Sequence, residues 1–203
     1  MKSFWTLVAA VLFLLTALPT HAQESNDNCK VGSLSIDSTS ASTTPSQQTD
    51  VTNPRPATTV APTTDAEAYV QNVIKKDGLH VVHFWAPWCD NSRRELRNGW
   101  DKLVAANPNV TFTFVTVWNN GQKGDSVLTK HDLPARVTVV TQPDLGPSDV
   151  EANRRQSFLT HPVTWIPSTW IFHNNGELAF AMNYGEIKRE TIQSLITTTQ
   201  KDW

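Results

Sequence analysis

Cys29 and Cys89 are the only thiols in this chain of 203 residues, and they are the side chains best suited to covalent chemistry. Cys89 stands in the run His83-Phe84-Trp85-Ala86-Pro87-Trp88-Cys89-Asp90-Asn91-Ser92, where a short apolar segment suited to a buried strand passes into a helical pattern. That junction matters because the thiolate is the nucleophile, and an ordinary cysteine is mostly protonated at neutral pH. A helix N-terminus aims unpaired N–H groups and the positive end of the dipole at the sulfur, which favours the thiolate. Arg93 and Arg94, one turn on, add to that stabilisation, and Asp90 opposes it. The plain alternative is a buried structural cysteine; flanking Trp85, Pro87 and Trp88 favour the reactive reading.

Several elements must position this junction. Thr64-Asp65-Ala66-Glu67 has capping-box spacing, and Ala66, Tyr69, Val70, Val73 and Ile74 follow at helical intervals until Asp77-Gly78. His80 to Trp85 predicts a buried strand. After Pro87 the spacing of Leu96, Trp100, Leu103 and Val104 predicts one helix running to Asn107-Pro108. Val110 to Trp118 alternates and is β-branched, the clearest strand in the chain. Beyond it we expect a short helix over Asp125 to His131, a strand over Arg136 to Thr141 and a helix over Asp149 to Leu159. A hairpin follows, Trp170 to His173 and Leu178 to Asn183 around Asn174-Asn175-Gly176, with a last helix from about Glu186 that places Ile192, Leu195 and Ile196 on one face. The order predicts an α/β fold with helices flanking a central sheet.

The N-terminal third reads differently. Met1-Lys2, the apolar run from Leu7 to Leu18 and Thr20-His21-Ala22 have the form of a signal peptide over residues 1–22, cut after Ala22. The run is shorter than the ~20 residues a membrane-spanning helix needs, so no stable membrane span is expected after cleavage, and the product is periplasmic or secreted. Residues 23–64 are dominated by Ser, Thr, Pro, Asn, Asp and Gln without apolar period, the composition of a disordered tether. The folded domain then covers 65–203. A net charge of -2 without a basic block argues against a nucleic-acid partner. His131, His161 and His173 lack metal-ligand spacing with a cysteine, so neither a metal nor another cofactor is assigned.

The stretch from His83 to Ser92 resembles the active-site run of the thioredoxin-like superfamily, in which a strand and a W-C-x-x-C turn precede a long helix. The resemblance extends over roughly residues 65–203, since Trp165-Ile166-Pro167-Ser168-Thr169 before a hairpin is similar to that family's cis-proline loop. It implies a thioredoxin fold with a central mixed sheet. The long stretch between the Val110 strand and Pro167 is similar to the inserted strand and helix of the exported TlpA/ResA-like branch. It also implies that Pro167, in preference to Pro162, is the cis-proline beside the Cys89 sulfur. The backbone of Ile166 would then pair with an extended substrate strand, and Trp88, Ile166 and Pro167 would form the substrate groove, which Trp165 helps to line.

Two positions depart from that pattern. Ser92 replaces the second cysteine; a hydroxyl forms no disulfide, so the dithiol cycle cannot run inside a WCxxS motif, although Ser92 can donate a hydrogen bond to the Cys89 thiolate. His83 occupies the place of the family's buried acid and is a candidate proton acceptor of near-neutral pKa, or a histidine that only packs. The missing resolving thiol directs attention to Cys29. About 37 residues of flexible chain have a root-mean-square span of roughly 30–35 Å, comparable to the domain itself. Cys29 is thus a candidate remote resolving thiol or a cap on Cys89, as against an incidental thiol or one that pairs with another chain.

The leading expectation is an exported thiol-disulfide oxidoreductase or isomerase working through a Cys89 mixed disulfide. Its partners would be exported proteins or small-thiol disulfides and an external thiol reductant. A thioredoxin-fold binding module with a vestigial Cys89 is the second reading. A thiol peroxidase is third, weakened because Ala86 stands where a peroxidase threonine would be.

Overall fold

A computed structural model describes Cys29 and residues 63–201. The expected signal peptide, and the expected tether apart from Cys29 and its last two residues, lie outside the described residues. Helix α1 (Asp65–Val73) starts as its sequence dictates. The Thr64 side chain accepts the Glu67 N–H, and the Glu67 carboxylate accepts the Thr64 N–H, satisfying two orphan donors of the first turn. Strand β1 (Leu79–Trp85) is buried at every residue. Such a strand lies inside a sheet covered on both faces.

The expected long helix after Pro87 is two helices, α2 (Asp90–Arg97) and α3 (Trp100–Ala106). Gly99, at φ 108°, breaks them, a conformation that favours glycine. The apolar period runs across the break because Leu96, Trp100 and Leu103 all remain on one side of the sheet. Strand β2 (Val110–Thr116), helix α4 (Asp125–Lys130) and strand β3 (Thr138–Thr141) follow. The helix expected over Asp149 to Leu159 is absent. That stretch holds a single 3₁₀ turn, Glu151–Asn153, and strand β4 (Ser157–Phe158), which pairs with β5 (His161–Pro162). Phe158 is pulled fully into the core beside Phe84 and Trp170, and burial of that ring outweighs the local helical pattern. Strands β6 (Ser168–Phe172) and β7 (Leu178–Met182) form the hairpin, and helix α5 (Arg189–Thr199) closes the chain.

The main sheet has the order β3-β2-β1-β6-β7. Strands β3, β2 and β1 are mutually parallel, whereas β6 runs antiparallel to both β1 and β7. This is the thioredoxin fold, with β3 added at the edge beside β2. Two apolar layers cover the sheet. Ala66 and Val70 of α1 and Ile74 at its C-cap pack on the face that carries Val82, Phe84, Val115 and Trp170. Leu96, Trp100, Leu103, Ile192 and Ile196 pack on the face that carries Val81, Trp85, Phe112, Phe114 and Ile171.

Trp85, fully buried at the end of β1, leaves no room above it except at a glycine. A Cβ at Gly124 would lie 2.4 Å from Trp85 Cη2 and 3.2 Å from Pro87 Cγ. Because the indole is locked in the core, Gly124→Ala overpacks the site next to the Cys89 turn. We expect a loss of about 1–3 kcal/mol, read as a lower urea midpoint at constant slope; an unchanged midpoint would mean that Trp85 yields without cost.

Candidate functional site

The site is built where β1 ends. Trp85 O accepts the Val117 N–H at 3.0 Å and Ala86 O accepts the Cys89 N–H at 3.2 Å, so the chain turns tightly between the sheet and α2. Cys89 is the N-cap of α2 with extended backbone (φ -77°, ψ 117°), and its side chain makes no capping bond. As N-cap, Cys89 stands at the positive end of the α2 dipole, a position that favours a thiolate. The two arginines expected to help are engaged elsewhere. Arg93 pairs with Asp90, and Arg94 pairs with Glu186 at 2.6 Å and with Asn91.

The second half of the site comes from the segment before β6. Ile166-Pro167 is a cis peptide bond, at the position the resemblance implied. Ile166 is fully buried, and its carbonyl oxygen stands 3.6 Å from Cys89 Sγ. Cys29 and Cys89 form a disulfide with their Cα atoms 5.7 Å apart, so neither sulfur carries a proton. In the reduced protein the Cys89 S–H would have the Ile166 carbonyl as acceptor. Cys29 is held by its backbone as well, since its carbonyl accepts the Ile166 N–H at 2.9 Å. Both cysteines have no exposed surface and share one apolar cluster with Ala86, Val163 and Ile166.

Ser92 is fully buried, and its Oγ accepts the Ala86 N–H at 3.5 Å, a long bond that ties the first turn of α2 to the turn before Cys89. Trp88 is half-buried and fixed on two sides. Its Nε1 donates to Trp118 O at 2.7 Å, and the Arg154 guanidinium lies 5.2 Å from its ring and 5.5 Å from that of Trp118. Arg154 Nε donates to Ser148 O, and Trp118 Nε1 to Arg155 O, each at 2.9 Å. The stretch between β3 and β6 is thus stacked on the residue before Cys89, a cation–π contact of about 0.5–2 kcal/mol. Sequence reasoning missed Arg154 and the bridging role of Trp118, because the contact joins residues far apart along the chain.

His83 does not fit the near-neutral proton acceptor. It points to the α2–α3 face, packed against Trp100 (4.4 Å between ring centroids) and Phe114 (4.8 Å), with Nδ1 3.0 Å from Thr169 Oγ1. Burial pushes its pKa down from 6.5 to about 3, because the charged imidazolium would have no water around it. At neutral pH the ring is uncharged. A second buried titratable group, Glu95, was passed over in the sequence. Burial, reinforced by the nearby Glu186 carboxylate, raises its pKa well above 4.5. Its position was readable, since Ser92, Glu95 and Leu96 stand at i, i+3 and i+4 and all three are buried.

These two groups set opposite pH slopes. His83 binds a proton more readily unfolded (6.5) than folded (about 3), so its contribution is complete above pH 6.5. Stability is lost as pH falls towards 3, by up to about 1.4 kcal/mol per pH unit. Glu95, raised when folded, lowers stability as pH climbs above its unfolded value. We therefore expect His83→Phe to flatten the acid limb and Glu95→Gln to flatten the alkaline decline, each measured by urea unfolding across pH. A wild-type slope retained in both variants would assign the pH dependence to other groups.

No family model and no curated protein matches the chain. Solved structures similar to it include a secreted disulfide oxidoreductase of Mycobacterium tuberculosis homologous to E. coli DsbE, at 19% identity and TM-score 0.45, covering 62% of this chain and 85% of that one. StoA from Bacillus subtilis matches at 19% identity and TM-score 0.42, covering 59% and 83%. A secreted thiol-disulfide isomerase from Corynebacterium glutamicum matches at 19% identity and TM-score 0.45, covering 61% and 71%. The thioredoxin fold of this chain is read from its own strand order, with the cis bond of Pro167 set beside the Cys89 turn.

Proposed function

We propose that this is an exported thiol-disulfide oxidoreductase whose working couple is Cys89 and Cys29, with Cys29 taking the part that Ser92 cannot play. The observation that carries the reading is the disulfide between Cys29 and the cysteine that caps α2 beside Ile166-Pro167. In the reduced protein the Cys89 thiolate attacks one sulfur of a substrate disulfide, forming a Cys89–substrate mixed disulfide and releasing one substrate thiolate. The Cys29 thiolate then attacks the Cys89 sulfur. That step forms the Cys29–Cys89 bond and expels the second substrate thiol. The substrate gains two electrons and two protons, and an external thiol reductant restores both cysteines. If instead a different thiol of the same substrate attacks the substrate-side sulfur of the mixed disulfide before Cys29 acts, a rearranged substrate disulfide forms and the Cys89 thiolate leaves, which is isomerisation.

Roles follow for the remaining residues. Cys89 is the nucleophile. Trp88, Ile166 and Pro167 flank the substrate, and Ser92 holds the turn through Ala86. His83 is uncharged packing behind the site, a role supported by its buried ring and lowered pKa. The leader at residues 1–22 supports export, which agrees with a disulfide that persists only where the surroundings are oxidising.

Wild type and two variants test the couple. Reduced wild type mixed with a disulfide-linked peptide should release two peptide thiols and end with Cys29 bonded to Cys89, as read by intact mass. Cys29→Ser should stop at a stable Cys89–peptide adduct, and Cys89→Ala should do neither. Cys29→Ser that turns over like wild type without an adduct would remove Cys29 from the cycle. Cys89→Ala that keeps full activity would end the reading.

A further inference from the structure

Strand β3 ends the sheet and pairs with β2 along one side. Among the described residues nothing bonds to its other edge. The run Val137-Thr138-Val139-Val140-Thr141 carries neither a charge nor a proline, two of the devices that keep such an edge from pairing. Beside it lies a hollow of about 520 Å³, walled on one side by the α4 stripe Asp125, Leu128 and Thr129 and on the other by Val137 and Val139. Asp125 opens α4, and Asp132, which also lines the hollow, stands just past its end, so the two acids are about 10 Å apart. Among the described residues neither carboxylate is paired with a cation. Lys130 and His131 line a separate hollow with Arg97 and Lys102, and Arg136 donates to the carbonyls of Val104, Asn107 and Val110.

We propose that β3 and α4 form a docking edge for an extended segment of a partner protein, in which an apolar residue is flanked two positions away on each side by Lys or Arg. An edge of free N–H and C=O groups takes an added strand, whose alternate side chains then fall on one face. On the α4 side that face is the hollow. Same-face side chains of a strand stand about 7 Å apart. With the apolar one between Leu128 and Val139, its two basic neighbours reach Asp125 and Asp132 through their long stems. A second copy of this chain fits worse, because pairing β3 with itself brings two acidic rims together. Asp125 follows Gly124, which packs on Trp85 and Pro87, so a partner held there lies beside the turn that leads to Cys89. Neither sulfur enters the docking, which therefore stands apart from the proposed Cys29–Cys89 couple.

The probe is the peptide acetyl-Thr-Lys-Thr-Ile-Thr-Lys-Thr-amide, added to the full chain. Hydrogen exchange followed by NMR should slow about tenfold or more at alternate amides of β3, because every second N–H of the strand faces outward. N-methylation of Lys, Ile and Lys gives a second peptide, and N-methylation of the threonines between them a third. One of these two, and only one, should lose binding, since an added strand turns one set of N–H groups to the edge. Asp125→Asn combined with Asp132→Asn should weaken the lysine peptide about three- to tenfold and flatten its salt dependence. Asparagine keeps the left-handed backbone at Asp132 (φ 52°), so the fold is retained. Unchanged β3 exchange up to about 1 mM peptide, or equal binding of the two methylated peptides, would overturn the inference. So would a dimer seen by sedimentation whose formation alone protects β3, which would give the edge to a second copy. Each of these outcomes leaves the intact-mass test of the redox couple untouched.

Discussion

Strand β1 is paired along both edges, to β2 in parallel and to β6 antiparallel, and every one of its side chains is buried. Everything at the site hangs from that doubly paired strand. Its parallel neighbour fixes where the chain emerges, and the antiparallel neighbour brings the Ile166-Pro167 segment back to the same end. A strand with one free edge could slide, and a one-residue slip would turn Phe84 and His83 to opposite faces. Two ladders with agreed register, Phe84 opposite both Val115 and Ser168, leave no such freedom. Cys89 and the Ile166 backbone that faces it are thus set by the same hydrogen-bonded frame.

The chemistry available at that frame follows from competing local fields. The α2 N-terminus favours a negative sulfur, whereas the Ile166 carbonyl, 3.6 Å away, presents a negative oxygen and favours the protonated thiol or the disulfide. The arginines do not tip this balance, because Arg93 and Arg94 are turned to Asp90 and Glu186 in half-exposed pairs of small energetic weight. Neither does His83, which is neutral on the far side of β1. The sulfur that Cys89 meets in this field is that of Cys29, to which it is bonded.

The stretch between β3 and β6 gives the site its walls. Arg154 bridges Trp88 and Trp118, and Phe158 anchors the small β4–β5 pair against Phe84 and Trp170. Glu67 joins this wall to α1, since its carboxylate accepts the Leu159 N–H as well as capping the helix. One acidic side chain thereby serves helix start and wall placement together. The Trp88 indole, bonded to Trp118 O and stacked under Arg154, is thereby fixed next to Cys89.

Local signals were readable without the fold. The capping box at Thr64, the alternation of β2, the Asn-Gly turn and the strand-to-helix junction at Cys89 all depend on near neighbours in sequence, and each stands where residue pattern places it. Other features were settled only in three dimensions. Gly99 splits a helix that the apolar period carries straight through, because the period records which face is buried and not whether the backbone is continuous. Phe158 becomes strand because the core has a place for its ring. His83 loses its basicity because it meets Trp100 and Phe114, and Glu95 is driven towards neutrality beside Glu186; no local pattern encodes desolvation. The meeting of Cys29 with Cys89 is the extreme case. Chain statistics allowed the encounter, but only the placed Ile166 N–H gives it direction. Sequence determined which sulfur sits at a helix start; tertiary structure decided what that sulfur is bonded to, because long-range contacts are chosen by the packed surface and not by the segment that joins them.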